Sequence, residues 1–261
     1  MNEELQHGLG ALESPKDSRD INLGAVQPPN YPDSYETDVS WIKPLWQDGY
    51  PMCGAFAGSI LKVIQEYAET NTQEMFSPIF LWKKIKSLDG YAPQMGTDGR
   101  SIMKALSKYG ICKLELLPIE YDKNLVEYSK DDTTEQQNSE AHKRIIESYG
   151  TEVDVRRAIF NNKAVLILTN VGQGWWGKDV VMQDSNLGDG HFIVGYGYDK
   201  DYIYIIDSAD KDKPFKKVSM PLREIWTAAD MENWKVEAMK TQIVLLKKAI
   251  ELMIRLINKR S

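Results

Sequence analysis

The chain has 261 residues, 42% of them apolar, enough for one large domain or two small ones around a real hydrophobic core. Its formal charge is 32 − 38 = −6, and no basic stripe is available to neutralise phosphates, which excludes a nucleic-acid-binding role. No run of about 18 apolar residues exists, so no membrane span is expected, and Met1–Gly10 lacks the basic and apolar regions of a secretory signal.

Residues 1 to 31 read as an irregular N-terminal arm, with Pro15, Pro28 and Pro29 among charges and few apolar residues. It is expected to lie extended on the domain surface or to form a disordered tail. Cys53 to Glu69 predicts a helix, because Phe56, Ile60, Val63, Ile64 and Tyr67 repeat at helical spacing. Ser77 to Leu88 predicts a second, with Ser77 as N-cap and Pro78 at the first helical position. Ser101 to Tyr109 predicts a third, stopped by Gly110. Ser129 to Ala141 is polar and acidic and reads as a surface loop, and Val153 to Phe160 as a short helix. The second half changes character. Ala164 to Asn170, Phe192 to Tyr198 and Tyr202 to Ile206 read as strands, the middle one buried on both faces, with Asp199-Lys-Asp as a tight turn. Helices followed by antiparallel strands predict an α+β fold of two lobes meeting at a cleft, over residues 32 to 231.

Residues 232 to 261 are different in kind. Val236, Met239, Ile243, Leu246, Ile250, Met253 and Ile257 step by threes and fours, a heptad seam with Lys and Arg on the other faces. This predicts a C-terminal amphipathic helix. It either folds back on its own domain or serves self-association or docking through Val236–Ile257.

Cys53 sits where the first helix begins, so its sulfur faces the positive end of the helix dipole, which favours a thiolate. A buried, inert cysteine is the plain alternative. Of the three histidines, His7 lies in the arm and His142 among Glu140, Lys143 and Arg144. His191 lies in Gly-Asp-Gly-His-Phe-Ile-Val-Gly-Tyr-Gly at the start of a buried strand, with Gly190 leaving room for a substrate. With only Cys53 and Cys112 in the chain, a disulfide scaffold is excluded in practice. Too few cysteines and histidines cluster for a zinc site, and neither metal nor cofactor is expected. Two cysteines without a signal fit a reducing, cytoplasmic setting, in a bacterial or bacterial-virus protein.

Gln47-Asp-Gly-Tyr-Pro-Met-Cys53-Gly-Ala-Phe-Ala resembles the nucleophile segment of the papain-like cysteine peptidases, in which a Gln lies six residues before the Cys, as here. His191-Phe-Ile-Val-Gly-Tyr-Gly resembles the family's histidine strand. The family's third residue, an Asn sixteen residues after the His and followed by Ser, is matched by Asp207-Ser208. The Cys-to-His separation, 191 − 53 = 138, falls within the roughly 130–150 residues of that arrangement.

The resemblance covers about Pro32 to Trp226. It implies a two-lobed fold and peptide-bond hydrolysis through a thiolate–imidazole pair. In these roles Cys53 is the nucleophile, His191 the acid/base, Asp207 the orienting group and Gln47 the side-chain donor of the oxyanion hole. It also implies that the Gly96–Gly99 segment forms a wall of the cleft where an extended peptide or protein substrate pairs, with Gly99 and Gly190 at the substrate. Trp175 would line the leaving-group side, or simply pack in the core.

The chain departs from the family where two Trp are usual, at Gly54 after the cysteine and at Ala209 after Asp-Ser. Loss of the second is expected to open the His191–Asp207 contact to water, with the charge of Asp207 compensating. Tyr50 occupies the place of the cysteine that would form the usual nearby disulfide. The segment before Pro32 is too short for the family's helical pro-domain, so control is expected by other means or by the arm covering the cleft. An inactive peptide-binding or assembly module, and a thiol amidase or acyl transferase, are the alternative readings.

Overall fold

A computed structural model describes residues 9–18, 20–22, 30–172, 174–182, 189–219 and 222–229. The chain divides into one compact unit over Met1–Ala228 and a second over Ala229–Ser261. The heptad-patterned segment Val236–Ile257 lies outside the described residues. Among the described residues no helix is long and apolar enough to cross a membrane.

Among the described residues, six helices precede or interrupt the strands: α1 (Cys53–Thr70), α2 (Pro78–Asp89), α3 (Gly99–Tyr109), α4 (Leu125–Tyr128), α5 (Glu135–His142) and α6 (Val155–Asn162). Their starts follow from local hydrogen bonding. The Ser77 hydroxyl accepts from Phe80 N at 3.1 Å, with Pro78 at the first position. Asp98 accepts from Ser101 N at 3.0 Å, so α3 begins two residues before the expected Ser101. The expected loop over Ser129–Ala141 is corrected: α5 occupies its second half. Thr134 and Gln137 form a reciprocal capping box there, and only Ala141 is buried in that helix, so no apolar period betrays it.

The strands are β1 (Ala11–Leu12), β2 (Tyr35–Glu36), β3 (Thr97–Asp98), β4 (Ser148–Thr151), β5 (Val165–Val171), β6 (Val180–Val181), β7 (Asp189–Tyr198), β8 (Ile203–Ile206), β9 (Phe215–Val218) and β10 (Glu224–Ala229). Eight of them form one sheet in the order β4-β10-β5-β7-β8-β9-β6, with β2 paired to the far end of β7. β1 and β3 form a separate parallel pair.

Two cores sandwich the sheet. Alternate residues of β5 and β7 face opposite ways: Leu166, Leu168, Phe192 and Val194 join the helical core of α1, α2 and α3. Val165, Ile167 and Ile193 join a second core with α6 and β8. Phe56, Ile60, Val63 and Ile64 of α1 are almost fully buried in the first, each burial contributing about 1.5–3 kcal/mol. This α+β arrangement, with helices on one side and an antiparallel sheet behind, holds the start of α1 against the start of β7. Central β5 and β7 are buried on both faces because both cores press on them.

Candidate active site

The turn that delivers the first candidate residue is encoded locally. Asp48 and Gly49 both take positive φ, 47° and 73°, and Tyr50 N donates to Gln47 O at 3.0 Å, the pattern of an Asp-Gly type I′ turn. It folds Gln47 back beside the start of α1, where Cys53 is the first helical residue. Gln47 is fully buried and held at both ends of its amide: its Nε2 donates to Tyr50 O at 2.9 Å, and its Oε1 accepts from the Ser208 hydroxyl at 2.7 Å. Its backbone N–H donates to Ser208 O at 3.0 Å. The Asp207-Ser208 pair is thus tied directly to the Gln47 segment.

His191 is the third residue of β7, paired in register with Thr169 of β5. Its Nε2 lies 2.7 Å from Asp207 Oδ1, and both side chains are wholly buried. Nδ1 is buried with no hydrogen-bond partner, and the Cys53 sulfur is near enough to act on the ring. Burial alone would push the imidazolium down; the Asp207 charge and hydrogen bond, with the nearby Cys53 sulfur, more than reverse this and lift His191 to about 10. Burial likewise works to raise Asp207. The His191 charge and hydrogen bond, the Trp175 N–H and the Ala209 N–H overcome it, holding the carboxyl below the usual range. The result is a charged pair with one imidazole nitrogen fixed and the other turned to the thiol.

The expectation that this contact would open to water at Ala209 is corrected. The indole of Trp175 covers it, from the loop between β5 and β6. Its Nε1 donates to Asp207 Oδ2 at 2.6 Å, and its ring stands edge-on to His191 at 6.2 Å and 88°. Trp175 is 1% exposed and abuts the His–Asp pair. The shielding aromatic lies thirty-two residues before Asp207 in sequence instead of two after it, which spacing read from Asp207 could not reveal. At the other departure, a side chain on Gly54 would run into Ile102 and Thr97, so a Trp has no room there.

Gly99 begins α3, and a Cβ on it would collide with the Trp226 indole; it faces the interior. Gly96 and Thr97 meet the N-terminal arm. Gly96 takes φ 75°, and a Cβ there would overlap the Gly10 carbonyl. Thr97 N donates to Gly10 O at 2.9 Å. Gly190 faces the same segment, its Cα close under the Ala11 carbonyl. The arm therefore runs between the Gly96–Thr97 segment and the start of β7, with Ala11 and Leu12 in parallel register with Thr97 and Asp98. Farther along, Ser14 donates through N and Oγ to Glu224 at 2.7 and 2.8 Å. Arg100 Nε donates to Asp20 Oδ1 at 2.9 Å, and Thr151 N donates to Ile21 O at 2.9 Å.

Cys112 shares nothing with this site. It is a buried free thiol, pushed up to about 12 by burial. At neutral pH it is expected to stay unmodified in the folded protein. Peptide mapping after thiol alkylation checks this, and modification of Cys112 at a rate matching Cys53 would contradict it. No group of three or more His, Cys, Asp or Glu among the described residues is arranged to hold a metal ion.

No protein-family model matches the chain, and no curated protein matches it. Solved structures do. Xylellain, a cysteine protease from Xylella fastidiosa, superposes with a TM-score of 0.72 at 14% identity over 85% of this chain and 96% of its own. Procathepsin B S9 from Trypanosoma congolense gives 0.66 at 12% identity, covering 87% of this chain and 88% of its own. A Carica candamarcensis cysteine protease in complex with E-64 gives 0.58 at 14% identity, covering 77% and 99%. The chain has the papain-like cysteine protease fold.

Proposed function

We propose that this chain, carrying a papain-like fold, is a cysteine-type peptidase that hydrolyses peptide bonds through a Cys53–His191 ion pair and an acyl-enzyme. The observation that carries the reading is the fully buried His191–Asp207 contact, which fixes Nε2 and leaves Nδ1 facing the thiol at the start of α1. The Cys53 thiolate attacks the scissile carbonyl carbon. The oxyanion is taken up by the Cys53 backbone N–H and the Gln47 amide, which Ser208 and Tyr50 hold rigid. His191 Nδ1–H gives its proton to the departing amine, leaving a thioester. Water then attacks the thioester, His191 accepts its proton at Nδ1, and the acid leaves as the thiolate is restored.

The buried state of Cys53 and His191 sets a condition on this chemistry. The arm must leave before a peptide can enter, because Gly10–Leu12 occupies the wall residues an extended substrate would pair with. We read the arm as a strap held by Thr97, Glu224 and Arg100. Activity is tested by hydrolysis of a mixed fluorogenic peptide library by a strap-released form, with Cys53→Ala as control. Equal turnover by the two would refute the peptidase reading.

A further inference from the structure

Lys216 of β9 has a side chain that is completely buried, and it does not touch the reacting groups. Its Nζ donates to Asp210 Oδ2 at 2.6 Å, to Trp175 O at 3.1 Å and to Lys178 O at 3.1 Å. Asp210 Oδ2 also accepts from Gly177 N at 2.7 Å, and its Oδ1 accepts from Lys213 N at 3.1 Å. A buried ion pair is weak evidence for stability, since desolvation offsets much of its attraction. This one instead joins two loops. One, residues 174 to 179, carries Trp175. The other, residues 207 to 214, carries Asp207 and is anchored by Asp207 N donating to Pro214 O at 2.7 Å. The Trp175 Nε1–Asp207 Oδ2 bond spans the same two loops. Both ends of the indole are thus accounted for: Lys216 holds its backbone carbonyl, and Asp207 holds its ring nitrogen.

We propose that the Lys216–Asp210 pair is a positioning device for the His–Asp couple, acting through Trp175: it clamps the 174–179 loop so that the indole fixes the second oxygen of Asp207. The inference rests on the peptidase reading for its kinetic consequence and on the geometry alone for its structural one. Substrate would feel Lys216 only through the orientation of His191, so its loss lowers kcat and leaves KM in place. A Trp175 that lined the substrate pocket would instead give a change in KM.

The test pairs two readouts on the full chain. The first is solvent exchange of the Trp175 indole N–H, followed by NMR and assigned through its absence in Trp175→Phe. Lys216→Met is expected to speed that exchange by about tenfold or more while the Trp82 and Trp226 indoles stay as they were. The second is kinetics in a strap-released form. Lys216→Met and Trp175→Phe are each expected to lower kcat about tenfold with KM within about twofold, and the double variant should be little worse than either single. An unchanged Trp175 exchange rate in Lys216→Met, or kinetic losses that multiply, would overturn the proposal. If Lys216→Met disturbs all three indoles it has unfolded, and Asp210→Asn takes its place; protection of Trp175 there would overturn the proposal equally. A strap-released parent without peptidase activity but with the expected exchange result would sink the peptidase reading and leave the clamp standing.

Discussion

Gly10→Val is expected to raise the rate of Cys53 modification by a thiol-directed inhibitor on the order of 30- to 100-fold, from displacement of about 2–3 kcal/mol of strap contacts. A Cβ at Gly10 would sit 2.6 Å from Pro51 O and 2.8 Å from Pro51 Cβ, so a branched side chain cannot enter the groove between Pro51 and Gly96. What remains to hold the arm is the Ser14–Glu224 contact and peripheral ion pairs. The Arg100–Asp20 pair is about one-fifth exposed on each side and contributes roughly 1 kcal/mol at most. The Arg223–Glu13 pair is more exposed still. Asp20→Asn should therefore act in the same direction with a smaller effect. Stopped-time alkylation followed by intact mass measures both, and a Gly10→Val rate equal to wild type would show that the arm does not control access.

Asp207→Asn is expected to cut kcat/KM on the order of 10- to 100-fold at pH 8, and less near pH 5–6. The sign follows from the causes acting on His191. Burial pushes the imidazolium down, while the Asp207 charge and hydrogen bond raise it to about 10. Asn keeps an acceptor but not the charge, so burial prevails and the imidazolium is lost at lower pH. The alkaline limb of the pH–rate profile, placed by wild type well above neutrality toward about 10, should move down through neutrality in the variant. Asn also presents an N–H₂ where Asp207 now accepts from Trp175 or from Ala209, so one of those contacts is lost. Profiles measured on strap-released proteins test this, and an unmoved alkaline limb would show that the carboxylate does not govern His191.

The parts of the fold legible in sequence were those with strong period or caps. α1 and α2 announced themselves through apolar spacing and the Ser77-Pro78 start, and β5, β7 and β8 through β-branched runs buried on both faces. α5 was not legible, since its only buried residue is Ala141 and its start depends on a reciprocal pair of polar side chains. At the candidate site, Gln47, Cys53, His191 and Asp207 could be singled out from three spacings, and the structure brings all four to one buried place. The supporting residues could not. Trp175 reaches Asp207 from a different loop, so its role depends on how β5, β6 and β9 stack. Lys216 lies in a strand, Phe-Lys-Lys-Val, where one lysine is exposed and the other buried, and nothing local distinguishes them. Gly99 packs inward against Trp226 where Asp98 caps α3, while Gly96 meets the arm.

The most direct measurement is intact mass after brief exposure to an epoxide-type thiol-protease inhibitor near pH 6, made on Gly10→Val and on the same protein carrying Cys53→Ala or His191→Ala. One adduct is expected on Gly10→Val alone, because only a thiolate held by His191 opens the epoxide quickly at that pH. No adduct on any of the three, or equal labelling of Gly10→Val with and without His191→Ala, would contradict a Cys53–His191 catalytic pair.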